Sequence, residues 1–298
     1  MSLRALYDVA APAKLNLFLH VLGRRADGYH LLQSLFVLID WSDTLQLERR
    51  ADGRLQRHDL GAALPADDLC LRAARALQQA SGTPLGADIG IDKRIPWGAG
   101  LGGGSSDAAT TLLALNRLWG LNWPRARLLA LALTLGADVP FFIGGDNAIV
   151  EGIGERLTPC TVARQRFAVV KPPQAIATAD IFNSPALRRD GEAVILPGSF
   201  AGAGQCLSPI DADGGRNDLQ PVAEAMCPPV REAADWLHAR FGNSRMSGSG
   251  SAVFARVDET FGAGDSPVAN WPAADLPAAW VARMCRSLDH HPLKEWAG

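Results

Sequence analysis

The residues with the clearest chemical capacity in this 298-residue chain lie in one run, Pro96-Trp97-Gly98-Ala99-Gly100-Leu101-Gly102-Gly103-Gly104-Ser105-Ser106-Asp107. Glycine admits positive φ and lets a backbone approach a ligand closely. Two hydroxyls follow, and the next residues, Ala108 to Leu115, read as a helix. The first N–H groups of a helix are unpaired and sit at the positive end of its dipole. Glycines, hydroxyls and a helix start together form an anion cradle, most naturally for phosphate.

Other glycine loops fit less well. Gly98, Gly100 and Gly103 satisfy G-x-G-x-x-G. The dinucleotide fingerprint also needs a strand turning directly into the helix and an acid roughly 20 residues later. Pro96 interrupts the approach, and Leu121-Asn122-Trp123-Pro124 stand where the acid belongs. A Walker loop ends in Gly-Lys-Ser/Thr, and Gly104-Ser105-Ser106 has no lysine. The H-R-D and D-F-G segments of protein kinases are absent downstream. A turn without a ligand is disfavoured, because every glycine adds to the cost of ordering the loop.

The elements around the loop read as α/β. Apolar residues at 15, 17, 19 and 21 alternate through Ala13 to Val21, the period of a half-buried strand. Lys14, Asn16 and His20 then share its other face. A turn spans Gly23 to Gly28, followed by an apolar run from Leu31 to Ile39 and a strand from Thr44 to Glu48. Asp67 or Asp68 can cap a helix through Leu69 to Leu77. Ala87 to Lys93 alternates again and feeds the glycine loop. Pro124 suits a helix start, and the helix through Leu128 to Leu135 ends at Gly136. After Gly154 the texture changes. Phe167 to Pro172 reads as a strand, 186–216 as loop, and Pro221 to Phe241 as helix broken at Pro228-Pro229. A second small-residue loop, Ser247-Gly248-Ser249-Gly250-Ser251, precedes a strand from Ala252 to Ala255. These readings place a domain boundary near 155–165, dividing 1–160 from 161–298.

Bulk composition narrows the function classes. Hydrophobic residues make up 48% and charged residues 20%, a globular profile. The net charge of −2 supplies no global field to recruit nucleic acid. No apolar window reaches the ~18 residues of a membrane span. Five scattered cysteines without a C-x-x-C pair fit buried thiols in a reducing cytoplasm rather than disulfides or zinc. Met1 to Asp8 lacks a signal-peptide core. No heptad or apolar stripe calls for an obligate dimer, so a monomer or weak homodimer is expected.

The loop resembles the signature ATP loop of the GHMP kinase superfamily, P-x-G-x-G-L-G-S/G-S/G-S/A-S. Pro12-Ala13-Lys14-Leu15-Asn16-Leu17, Arg25-Ala26-Asp27-Gly28-Tyr29-His30, Gly136-Ala137-Asp138-Val139-Pro140 and Ser247 to Ser251 are similar, within it, to the kinases of 4-diphosphocytidyl-2-C-methyl-D-erythritol. The likeness runs nearly unbroken from Pro12 to Pro159 and is patchy beyond. It implies a two-domain α/β (α+β) fold, with an N-terminal half like ribosomal protein S5 and a ferredoxin-like C-terminal half. It also implies transfer of the γ-phosphate of ATP, with Mg²⁺, to the substrate's 2-hydroxyl in the non-mevalonate isoprenoid pathway.

Residue by residue, the resemblance assigns catalysis to Lys14 and Asp138. Read alone, Lys14 is a solvated strand lysine, and Asp138 is a turn or cap residue. ATP falls to Pro96, Gly98, Gly100, Leu101, Gly102, Gly103, Gly104, Ser105, Ser106 and Asp68. Ser106 is also the candidate to reach the metal, for which no protein ligand set is evident. Asp68 stands where the family commonly has asparagine, and an ionised carboxylate cannot donate as an amide does. The substrate falls to Asn16, Tyr29, His30, Asp138, Thr178, Phe182, Ser247 and Gly248. Tyr29 and Phe182 would wall the cytosine, and His30 would read its edge. Phe182 equally suits a core. His290-His291 reads as a surface tail. The alternatives are another small-molecule kinase of the superfamily, of homoserine or mevalonate type, and a nucleotide-binding protein without catalysis.

Overall fold

The structure, a computed structural model, describes residues 3–61, 63–66, 68–193, 205–206, 215–257 and 275–298, the pair 205–206 by backbone alone. Asp67, part of the 186–216 loop and most of 260–280 lie outside these residues. Strand β1 (Ala5–Arg24) and strand β2 (His30–Arg50) pair antiparallel along their length. Their turn closes with Gly28 at φ 91° and Arg25 N–H donating to the Tyr29 carbonyl at 2.7 Å. Sequence periodicity splits β2 in two because its register slips. Ser42 pairs with Pro12 but Ile39 with Ala13, which leaves Asp40 and Trp41 over. Across this irregularity the buried side chains change cores. Leu35, Val37 and Ile39 face one core while Leu45 and Leu47 face another.

The first sheet adds β3 (Leu55–Asp59), then, beyond helix α1 (Leu69–Ser81), β4 (Gly86–Asp92). Helix α2 (Gly103–Leu118) follows the glycine loop, and α3 (Arg125–Leu133) and α4 (Val139–Gly144) come next. The sheet closes with β5 (Ala148–Gly152) and β6 (Arg156–Pro159), in the order β3-β4-β2-β5-β6 with β1 on β2. Residues from all four helices and the sheet's Leu45, Leu47, Ile89 and Val150 form the first core.

A short pair, β7 (Thr161–Val162) and β9 (Gln205–Cys206), flanks the second half. Between them in the chain lie β8 (Arg166–Lys171) and α5 (Thr178–Asn183). Then come α6 (Gln220–Met226) and α7 (Pro228–Phe241), broken at Cys227 where Pro228 and Pro229 cannot continue the first helix. Strands β10 (Arg245–Met246), β11 (Val253–Val257) and β12 (Val281–Arg286) complete an antiparallel sheet ordered β10-β11-β8-β12. Its alternation serves two layers. Ala168 and Val170 pack under α5–α7 in a third core. Phe167 and Val169 meet Leu15 and Leu17 of the first sheet in a second.

The C-terminal residues are no surface tail. Leu293 and Ala297 are buried in the first core, and His291 is 1% exposed. Arg125 holds this strap by donating to the carbonyls of Ile143, Lys294 and Ala297.

Candidate active site

Lys14 and Asn16 leave β1 opposite the buried Leu15 and Leu17. That face is covered, so Lys14 is not the solvated lysine its strand position suggests; it is 3% exposed. Its ammonium donates to Asn16 Oδ1, lies 4.5 Å from the Phe36 ring centre, and stands 3.7 Å from Asp138 Oδ2. Burial lowers the Lys14 pKa, and the Asp138 carboxylate pulls it partly back. Asn16 is itself fixed, donating from Nδ2 to Ser34 Oγ at 2.9 Å. Asp138 occupies the N-cap position of α4, yet its side chain makes no capping bond. The carboxylate is thus left for the site. His20 does not share this face as simple alternation predicts. The register shifts again between Asn16 and Phe18, and His20 packs on the Phe18 ring at 5.1 Å.

The glycine loop is tied to β1 by Lys14 N–H donating to the Leu101 carbonyl at 2.9 Å. The second small-residue loop lies directly against it. Ser251 and Ala252 donate from their backbone to the carbonyls of Gly98 (3.0 Å) and Ala99 (3.1 Å). Ser247 Oγ donates to the Gly100 carbonyl at 3.0 Å and accepts from Asn16 N–H at 3.2 Å. A Cβ on Gly100 would sit 2.0 Å from the Ser247 carbonyl oxygen, so only glycine permits the approach. Asn217 secures the second loop from behind, donating to the carbonyls of Met246 (2.7 Å) and Gly248 (2.8 Å).

Helix α2 begins at Gly103, with Gly102 as a left-handed N-cap at φ 71°. The helix thus starts inside the glycine run, earlier than its apolar pattern indicates, and Ser105 and Ser106 fall in its first turn rather than before it. Ser105 lines the cavity in front of the loop. Ser106 lines neither cavity described below, and its buried hydroxyl has no partner among the described residues.

Two cavities meet at the loop. One of about 430 Å³ is lined by Leu64, Pro65, Asp68, Leu69, Lys93 and Ile95 to Ser105. The other, about 570 Å³, is lined by Lys14, Asn16, Tyr29, His30, Asp138, Thr178, Phe182, Gly248 and others. Gly98, Gly100 and Gly102 belong to both. The backbone cradle fits a phosphate anion. Among the described residues no three His, Cys, Asp or Glu group to hold a metal.

Asp68 caps α1, accepting from Leu71 N–H at 3.0 Å, and pairs with Arg57 Nη1 at 3.1 Å. At the far end of the larger cavity Tyr29 is 60% exposed. The His30 ring lies 4.9 Å from Phe182, tilted 31°. Arg189 Nε donates to His30 Nε2 at 3.1 Å. Burial, then the charges of Arg189 and Arg24, holds the imidazole below its ordinary pKa. Because Nε2 accepts from a guanidinium, the neutral ring carries its proton on Nδ1. Thr178 Oγ1 bonds Ser249 Oγ at 2.7 Å, joining α5 to the second loop. Phe182 both lines the cavity and packs on the third core.

Sequence reasoning missed Ser34, Arg189 and Asn217, which touch the site only through tertiary folding. It also missed a buried cluster in the smaller cavity's wall. There Lys93 Nζ donates to Asp43 and, at 2.6 Å, to Asp107 Oδ2. Burial pushes the Asp107 carboxyl well up. The strand-period reading gave no reason to join residues 43, 93 and 107.

The sequence matches the family models described as GHMP kinases N terminal domain over residues 68–146 and GHMP kinases C terminal over residues 195–263. A 4-diphosphocytidyl-2-C-methyl-D-erythritol kinase of Methylibium petroleiphilum is 64% identical over 299 residues, covering 100% of both chains. A crystal structure of 4-(cytidine 5'-diphospho)-2C-methyl-D-erythritol kinase superposes with a TM-score of 0.75 at 35% identity, over 93% of this chain and 98% of that one. A homoserine kinase structure from Cytophaga hutchinsonii, at 18% identity and a TM-score of 0.64, covers 96% of this chain and 95% of its own, and shares the fold.

Proposed function

This chain belongs to the GHMP kinases, among those of the 4-diphosphocytidyl-2-C-methyl-D-erythritol kinase family of isoprenoid precursor synthesis, and on that premise we propose that Lys14 and Asp138 carry transfer of the ATP γ-phosphoryl group to the 2-hydroxyl of the methylerythritol moiety. The observation that carries this reading is the Lys14–Asp138 pair, 3.7 Å apart, in a cavity that shares Gly98, Gly100 and Gly102 with its neighbour.

Phosphoryl transfer asks the protein mainly to position reactants and neutralise charge. The hydroxyl oxygen forms a bond to the γ-phosphorus as the bond to the β–γ bridging oxygen breaks, and ADP leaves. The hydroxyl proton passes to the Asp138 carboxylate. The Lys14 ammonium, 3.7 Å from that carboxylate, faces the charge of the transferring group. Pro96, Leu101, Gly103, Gly104 and Ser105 complete the triphosphate cradle. Ser105, which lines the smaller cavity, would reach a Mg²⁺ accompanying the nucleotide, whereas Ser106 lines neither cavity; such an ion would offset negative charge on the triphosphate. Tyr29, neutral His30 and Phe182 suit the cytosine, and Asn16, Thr178, Ser247 and Gly248 line the way to it.

We also assign 1–160 and 161–298 as the two domains, working as a cytoplasmic monomer or weak homodimer. The test is coupled ADP release over a panel of alcohols, with and without a cytidine diphosphate group. The cytidine-bearing substrate is expected to react far faster. Equal rates with bare methylerythritol phosphate would overturn the substrate assignment.

A further inference from the structure

Lys171, the last residue of β8, carries a charge that takes no part in the mechanism. Strand alternation puts it on the side of Phe167 and Val169, toward the first sheet, and it is 5% exposed. It lines neither cavity of the site. Burial lowers its pKa, and no carboxylate among the described residues pairs with it. An ammonium has three N–H donors. Here they go to three successive backbone carbonyls, those of Pro172 (2.8 Å), Pro173 (3.2 Å) and Gln174 (3.1 Å).

Carbonyl oxygens turned toward one point repel one another, and a cation between them holds such a ring together. Burying a charge is costly, so an apolar side chain would serve better if this strand end needed only packing. The prolines fix φ and lack N–H donors, so the linker 172–177 cannot take its shape from a ladder or a helix. That linker reaches the site at several points. The Gln174 carbonyl also accepts from Ser251 Oγ of the second loop. Ala175 lies against Gly98, where an added Cβ would come within 2.6 Å of the Ala175 Cβ. Ile176, and Thr178 just beyond, line the larger cavity.

We propose that the Lys171 ammonium is the fixed cation of this linker, drawing three carbonyls together so that Ala175 is held against the glycine loop and Ile176 and Thr178 against the substrate. Lys171 is thus a positioning residue. This rests on the kinase reading above, to which it adds the group that sets the height of these walls.

Lys171→Met keeps the stem and removes the charge. It is expected to raise the KM for ATP and for the cytidine-bearing alcohol, each on the order of tenfold. The kcat at saturation stays close to that of the unaltered protein, because Lys14 and Asp138 stand on β1 and at the start of α4. Lys171→Ala leaves room for a replacement cation. Added n-propylammonium is expected to bring both KM values back toward those of the unaltered protein, while n-propanol, of the same shape without the charge, does not. Unaltered KM values in Lys171→Met, or equal restoration by propanol, would overturn the proposal. Should the uncharged variants fail to fold, Lys171→Arg still decides. Its bulkier cation should displace the linker and raise both KM values, and values left unchanged would overturn the proposal. Absence of ATP-dependent turnover in the unaltered protein would instead remove the kinase reading.

Discussion

In the proposed mechanism the chemistry turns on an ammonium taken out of water and a carboxylate left partly in it. The Asp138 side chain is 33% exposed and Lys14 3%, so the acid can meet an incoming alcohol while the lysine waits behind it. Replacing Asp138 with Asn keeps the shape and removes the proton acceptor. The expected loss in kcat is about 10²- to 10⁴-fold, with ATP affinity by calorimetry little changed. Turnover near the unaltered rate would show that Asp138 takes no proton. Lys14 also predicts a pH dependence. Burial is the largest influence and lowers its pKa from 10.5. The charged form is therefore lost at a lower pH than in an exposed lysine, and the alkaline fall in rate should begin below pH 10.5. A rate that holds to or beyond that pH would contradict an essential Lys14 ammonium. Asp68 is legible from sequence only as one of two capping candidates. The structure gives it both the cap and Arg57, because a single carboxylate can serve a helix start and an ion pair together.

At the scale of elements, two glycine-rich loops form one clamp. The Cα of Gly100 and the carbonyl of Ser247 approach too closely for a side chain at position 100. Gly100→Ala is expected to force the loops apart and to abolish ATP binding in a calorimetric titration; near-native affinity would mean the clamp is dispensable. Asn217 makes the complementary prediction from outside the clamp. Truncation to Ala leaves the Met246 and Gly248 carbonyls without their donor, a loss of about 2 kcal/mol in chemical denaturation with a raised KM for both substrates. Stability and KM that both stay put would remove Asn217 from the loop's support. Neither the clamp nor its support is visible in the letters. Each loop's glycines announce a tight turn, but residues 100 and 247 meet only when two sheets stack through Leu15, Leu17, Phe167 and Val169.

The whole molecule is closed by its C-terminal strap, which returns to the first core after the second sheet is complete. His291 lies buried in that contact. Burial first, and the Arg125 charge next, push its pKa down to about 3 from 6.5. The unfolded chain therefore binds this proton more tightly, so stability is present above pH 6.5 and is lost as the pH falls toward 3. Between pH 7 and pH 5 the loss from this residue is about 2 kcal/mol. His291→Asn, which cannot titrate, should flatten that part of the urea-denaturation profile; an identical slope in the two proteins would refute the assignment. The sequence by itself determined the phosphate cradle, the β1 strand, the breaks at proline and the family motifs, because each is written in neighbouring residues whose conformational preferences are local. Tertiary structure alone decided that Lys14 is buried, that His20 turns away at a bulge, that Asp138 is spared from capping, and that His291 lies inside. Those outcomes depend on which surfaces cover one another, and burial and register are properties of the packed chain rather than of any short stretch of it.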